Sequence, residues 1–331
     1  MIKKRADNFI NKIFKSIGTI ILIRSVKSPK NFKSYMQKTG RCVTYVLAFD
    51  LVFVFLFPFL FMIFTSLKTN ADLNDVTVNW IPTTFNFKNY VMAYKLINYN
   101  EHIKNSLLIT IGASIGHIIS CSFIGYGFAR YEFPLKNVLF VFVIVVLIVP
   151  IQTFIVPMYI LFSNMKWLNT YLPIIAPTFF GLGLKGALFI FIFRQFYLGL
   201  PKELEKAAKV DGCGFLRTYW NIVLPIARSA LIVTLVLSIV WHWNDFYEPA
   251  IYVYKPALAV LPARLNSLVT FVNKPPEELM SDVESGLDEN ALNNAVLMAG
   301  TFIVILPVII SFIFLQRKFM QGIERTGLAG D

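Results

Sequence analysis

The sequence predicts an all-α membrane protein of about six transmembrane helices, and three observations carry that prediction. Apolar residues make up 56% of the 331 positions and charged residues only 15%, with 32 phenylalanines. Mean hydropathy is +0.62. A soluble fold of this composition could not keep its outside wet, so lipid must solvate much of the chain. Finally, the apolar residues fall into runs long enough to cross roughly 30 Å of hydrocarbon, which takes about 20 residues each.

Before the first run, Met1–Cys42 holds 11 Lys/Arg and one acid, Asp7. Beside an apolar run, this reads as a cytoplasmic arm held to anionic headgroups, not as a nucleic-acid site, although the net charge is +12. Phe9, Ile10, Ile13, Phe14, Ile17, Ile20 and Ile21 share one helical face, the pattern of a helix lying on a membrane. A disordered basic tail is the alternative. The first apolar run begins near Val43 and is too long for a cleavable leader.

Six segments qualify as spans: about Val43–Leu67, Ser106–Ala129, Val138–Phe162, Leu172–Phe193, Ile226–Asp245 and Ala295–Leu315. With both termini inside, the cytoplasmic segments together with Arg228 at the cytoplasmic end of the fifth span hold 22 of the 31 basic residues, the external loops hold 8, and Lys185 sits within a span. The positive-inside rule therefore predicts cytoplasmic termini. The expected division is a basic arm over 1–42, a six-helix domain over 43–315 and a cytoplasmic tail over 316–331. External loops cover 68–105 and 248–294. The first carries Trp80-Ile81-Pro82 and should be folded; the second holds seven acids against three bases, with a short helix expected after Pro275-Pro276. Pro58, Pro150, Pro157, Pro173, Pro177 and Pro307 interrupt the spans, which lipid tolerates only where helices pack or line a wet cavity. Cys42, Cys121 and Cys213 lie too far apart to suggest a disulfide framework or a zinc site, and no metal is expected.

The loop over 199–225 is the most informative. Pro201 suits a first helical turn, and Glu203 and Glu205 suit its positive end. Ala207 and Ala208 leave a low surface for a partner's groove, and Gly212 can take a left-handed backbone after the helix. Ile222-Val-Leu224-Pro225 then leads into the fifth span. Here the chain resembles the permease subunits of binding-protein-dependent ABC importers, whose hallmark is E-A-A, three residues, Gly, nine residues, I-x-L-P. Ala207-Ala208, Gly212 and Ile222-x-Leu224-Pro225 match that spacing throughout, while Lys206 stands where the hallmark Glu would be. Asn169-Thr170-Tyr171-Leu172, Phe193-Arg194-Gln195-Phe196, Trp243-Asn244-Asp245-Phe246 and Leu315-Gln316-Arg317-Lys318-Phe319 with Gly322 resemble the carbohydrate branch, and the second permease subunit of maltose-type systems above all.

The resemblance implies the type I ABC importer permease fold and a multi-pass position in the cell (inner) membrane. Implied partners are a second permease subunit, a dimer of ATPase subunits, and an extracellular or periplasmic solute-binding protein, besides membrane lipid and no nucleic acid. Glu203, Glu205, Lys206, Ala207, Ala208, Asp211, Gly212, Ile222, Leu224 and Pro225 would form the coupling loop that docks on the ATPase. The chain itself would be no enzyme and bind no cofactor, since ATP and Mg would be used by that partner. The glycine pair Gly181-x4-Gly186 has phosphate-loop spacing but is followed by Ala187 where the lysine belongs, and reads as close packing. Candidate residues of the translocation path are Lys185, Gln152 and Asn244. A self-sufficient secondary transporter and a polytopic membrane enzyme are the rival classes. The first would run without an ATPase partner; the second needs acids or histidines clustered at one depth, whereas His102, His117 and His242 are scattered in sequence.

Overall fold

A computed structural model describes residues 29–78, 80–272 and 293–328, with side chains for 40–78, 80–272 and 293–320. The amphipathic stretch at Phe9–Ile21 and the helix expected after Pro275-Pro276 lie outside the described residues. Two units divide the chain, residues through Phe61 and those from Met62 onward. The first apolar run lies in α1 (Pro29–Ser66), a helix that contains Pro58.

The loop after α1 is folded, as its composition predicts. α2 (Asn70–Asn74) starts with a capping box between Thr69 and Asp72. The buried Asp72 also accepts a hydrogen bond from Thr83 Oγ1 at 2.5 Å. Asn89, at the start of α3 (Lys88–Leu96), donates to the carbonyls of Ser66 and Lys68, both at 2.8 Å, and so ties the loop to the end of α1.

α4 (Tyr99–Arg130) carries the second apolar run without interruption. It packs against the later helices through small residues: a Cβ added at Gly125 would stand 2.6 Å from that of Phe193. The third run is divided. α5 (Lys136–Ile148) ends where Val149 turns extended before Pro150, because a proline ring excludes the helical conformation of the residue ahead of it. A 3₁₀ turn over Ile151–Thr153 leads into α6 (Ile155–Asn164), whose Pro157 falls in the first turn and costs no hydrogen bond.

The fourth run is divided as well. α7 (Leu172–Ile175) and a 3₁₀ turn over Ala176–Phe180 stop at Gly181, and α8 (Gly186–Leu198) begins only after Lys185. Gly181, Gly183 and Lys185 all have positive φ (73°, 82° and 65°), which no helix can include.

Beyond α8 come α9 (Glu203–Val210) and α10 (Phe215–Thr218), a π turn over Tyr219–Val223, and α11 (Leu224–Ile226). α12 (Arg228–Asn244) leaves at 76° to the segment before it. The π turn and Pro225 together account for that bend. α13 (Tyr247–Tyr252) and α14 (Leu261–Val272) follow, and α15 (Asn294–Leu328) carries the last apolar run. α15 runs past Leu315 as one helix, into the residues of the expected cytoplasmic tail. All six apolar runs are therefore helical, but among the described residues only those in α1, α4 and α15 are single helices long enough to span by length and composition, with the bent α10–α12 segment a possible fourth.

The main core gathers Cys121 and Tyr126 of α4, Phe189, Ile190, Phe193 and Tyr197 of α8, and Tyr219, Val223, Ala227 and Ala230 around the bend. Trp243 closes a second core, its indole N–H donating to the Val304 carbonyl of α15 at 2.9 Å.

Candidate functional site: a cavity at two helix breaks and a braced loop

Unwinding a helix frees carbonyl groups that lipid cannot satisfy. In the fourth run, side chains of α4 hydrogen-bond to carbonyls in and beside the break. His117 Nε2 donates to Leu182 O at 3.0 Å, Ser120 Oγ to Thr178 O at 2.6 Å, and Cys121 Sγ to Gly186 O at 3.6 Å. His242 lies beside His117, ring centroids 5.1 Å apart, and its Nδ1 donates to Ser238 O at 3.0 Å. The two histidines that sequence leaves scattered are thus neighbours, and each spends a ring nitrogen on the backbone. Among the described residues no group of three metal-ligating side chains forms.

The two breaks meet at a cavity of about 380 Å³, lined by residues 146–152 and 154 from the third run and 183–187 from the fourth. Gln152 and Lys185, two of the three residues expected on a path, both line it. The third does not: Asn244 is exposed and folds back onto Val240 O at 2.7 Å. Lys185 is the N-cap residue of α8, so its ammonium group adds to the positive end of that helix. Its Nζ lies 5.5 Å from the centre of the Trp241 ring. Within the unit that begins at Met62, no carboxylate among the described residues comes within 4.0 Å of it. Gly181 and Gly186 are packed together, as the sequence suggests, but within the break itself, where a Cβ on Gly186 would run into the carbonyl of Gly181.

At 199–225 the expected residues separate into two groups. Gly212 has φ 75°, and α9 closes on it through bonds from Gly212 N to Lys209 O (3.2 Å) and Cys213 N to Ala208 O (2.9 Å), a Schellman ending. Pro201 stands just ahead of α9 rather than in its first turn. Glu203, Lys206, Ala207, Asp211 and Gly212 are exposed. Leu204, Ala207 and Val210 fall on one stripe by their i, i+3 spacing, Val210 being 87% exposed. Ala208, expected on the docking surface, is instead buried at 2% exposure and packs inside the chain. Glu205 also turns inward, where its carboxylate pairs with Arg130 Nε at 3.0 Å. Ile222 and Leu224 are half-buried at the π turn and bend beside the exposed Pro225, and so shape the hinge between α9 and α12.

Arg130 was missed in the sequence because one arginine after a span is what positive-inside statistics produce anyway. It holds this loop twice, pairing with Glu205 of α9 and donating from Nη2 to Leu200 O, just ahead of that helix, at 2.6 Å. A second brace runs through hydroxyls: Tyr219 donates to Ser122 Oγ at 2.9 Å, and Ser122 and Tyr197 share a bond of 2.7 Å. The loop that carries α9 is therefore joined to α4 at two places, Glu205 within α9 and Tyr219 in the π turn beyond it, and α4 is the helix whose side chains hold the break in the fourth run.

The other residues behind the family resemblance serve as fasteners. Asn169 accepts backbone N–H groups of Tyr254 (3.0 Å) and Lys255 (3.1 Å) on Oδ1. Its own N–H reaches Tyr252 O at 2.8 Å. Arg194 lies 4.0 Å over the Phe140 ring.

Broken apolar helices around a cavity, with an exposed helix braced to the same scaffold, define a membrane transport subunit. Residues 121–325 match the family model described as "Binding-protein-dependent transport system inner membrane component", and the chain belongs to that family. It is thus a permease subunit of an ATP-binding-cassette importer, a multi-pass membrane protein in a family whose ATP hydrolysis falls to partner subunits. The chain is 28% identical over 300 residues to the arabinooligosaccharides transport system permease protein AraQ of Halalkalibacterium halodurans, with 89% of this chain and 99% of that one covered. It is 33% identical over 223 residues to a probable ABC transporter permease protein of Pyrococcus horikoshii, covering 66% and 79% respectively. A crystal structure of a bacterial ABC transporter involved in the import of the acidic polysaccharide alginate shares the fold, with a TM-score of 0.69 at 18% identity over 89% of this chain and 99% of that one.

Proposed function

We propose that this subunit forms part of the translocation path for a carbohydrate or related solute, delivered by an external binding protein, and that α9 is its coupling helix. A second permease subunit and a dimer of ATPase subunits complete the complex, and both termini are cytoplasmic. The relatives named for arabinooligosaccharides and for starch degradation products support the solute class. The observation that carries the mechanism is the double brace from this loop to α4, through Glu205 of α9 and Tyr219 of the π turn. A partner moving the exposed stripe Leu204, Ala207 and Val210 moves Arg130 and Tyr219 with it, and α4 passes that movement to the break at Gly181–Lys185. Lys185 and Gln152 then meet the solute in the cavity that the breaks enclose.

The test uses the complex reconstituted with its ATPase and binding protein. Gly212→Val forces a β-branched residue into a left-handed backbone, and Ala207→Trp obstructs the exposed stripe. Both variants should insert and fold normally, yet lose substrate-stimulated ATP hydrolysis. Full stimulation in both would remove α9 from coupling.

A further inference from the structure

A second cavity, of about 240 Å³, shares Val146, Ile151, Phe154 and Gly183 with the first and continues it toward α13. At roughly 30 Å³ per liquid water, it is sized for a ring fragment and not for one trapped water. Its walls are almost wholly apolar, with Phe162 and Tyr252 set edge to face at 5.2 Å and Phe154 beside them. Into this wall comes Glu248, 6% exposed. Among the described residues its carboxyl has no donor and no cation within reach. Its backbone N–H donates to Asp245 Oδ1 at 3.4 Å. A buried carboxyl facing apolar walls is costly, and a native protein that keeps one usually has a partner for it.

We propose that the Glu248 cavity is a ligand subsite for one neutral sugar ring of the transported solute, with the Glu248 carboxyl bonding ring hydroxyls and Tyr252 and Phe162 covering an apolar ring face. The inference rests on the carbohydrate reading above and adds a place and a contact that neither the hallmark loop nor Lys185 supplies. Aromatic faces with one convergent polar group match a sugar, whose ring carries hydroxyls at its edge and C–H groups on its faces. A cationic solute would also fit a carboxylate. Burial, however, pushes this carboxyl up to about 8, with Asp245 adding to the effect, which favours the protonated acid, a form that can both donate and accept.

The experiment compares wild type, Glu248→Gln and Glu248→Leu in the full complex with ATPase and binding protein. The probes are arabinotriose, maltotriose and, as a cationic control, a glucosamine trisaccharide. Wild type should take up a neutral probe. Glu248→Leu should slow that uptake by about tenfold or more, and Glu248→Gln by only a few-fold, because an amide still donates and accepts. Both should assemble and keep the ATP hydrolysis that the solute-free binding protein stimulates. If Glu248→Leu fails to assemble, Glu248→Gln decides, and a shift in its ranking of the neutral probes supports the subsite. Uptake unchanged in rate and ranking in the variants that assemble overturns the proposal. Equal loss of uptake and of solute-free ATPase activity makes Glu248 a structural residue and overturns it too. Uptake of the amino sugar alone, abolished in Glu248→Gln, would make the ligand a cation. A wild type that moves no saccharide while its ATPase still answers the binding protein would defeat the carbohydrate reading itself, an outcome distinct from normal sugar uptake in the variants.

Discussion

Arg130 is the residue through which the exposed loop is attached, and its environment makes the effect of removing it predictable. Its side chain is 3% exposed and that of Glu205 is 24% exposed, so the pair is partly shielded and its loss would exceed that of a surface ion pair. Arg130→Met would also release Leu200 O, and together these changes should loosen α9 by about 1–3 kcal/mol. Faster amide exchange over 203–212, with exchange in the α4 interior unchanged, is the expected signature. Glu205→Gln should show a weaker form of it. Lys185 presents the opposite case, a cation set over the Trp241 ring and, among the described residues, not paired with a carboxylate of its own unit. With no carboxylate at hand in its own unit, Lys185→Met should leave subunit assembly intact and alter which solutes are transported. Weakened assembly would instead assign Lys185 a structural role.

At the scale of elements, the breaks in the third and fourth apolar runs depend on a few positions, and Gly186 is the least replaceable of them. A methyl there meets backbone rather than a movable side chain, so Gly186→Ala should cost about 1–3 kcal/mol and lower the melting temperature of the purified complex. Gly183, whose nearest neighbour would be a Thr178 methyl at 3.4 Å, is restricted mainly by its φ of 82°. The two breaks differ in how legible they are in the sequence. Pro150 announces the first, since proline acts on its neighbours through local sterics. The second rests on alternating left-handed residues, one of them Lys185, and on hydrogen bonds from His117 and Ser120, more than 50 residues away. Local pattern cannot encode such contacts, so the sequence reads the fourth run as one helix. The hallmark loop was legible because its spacing is itself a local rule, with Gly212 in the conformation its place requires. Which way each of its residues faces was not legible, because burial of Ala208 and Glu205 depends on where α4 ends. Glu248 was concealed for the same reason: it counts as one of seven acids in a long loop until the fold sets it against Phe154, which comes from the third run.

For the molecule as part of an assembly, the charge around α9 decides which ATPase surface fits. Lys202, Lys206 and Lys209 follow one another at i, i+4 and i+7 and line a cavity of about 510 Å³ with Arg130. The one carboxylate among its lining residues, Glu205, is already paired. Glu203 stays outside, exposed at the start of the helix. What a partner meets at the hallmark position is therefore a lysine with two more beside it, and a basic contact residue there would be repelled. Electrostatic complementarity then requires the cognate ATPase to present an acidic or neutral group to Lys206. Lys206→Glu reverses the charge without disturbing an exposed helix, so the subunit should fold and assemble as before. Coupling to the natural ATPase should fall or stay level. Coupling to an ATPase from a system whose permease carries the usual Glu should rise. Measured as solute-stimulated ATP hydrolysis, the two responses should also converge as salt is raised, because exposed charges are screened beyond about 8–10 Å at physiological ionic strength. Stronger coupling of Lys206→Glu to the natural partner would mean that this partner keeps a basic contact residue, and that the lysines face away from it.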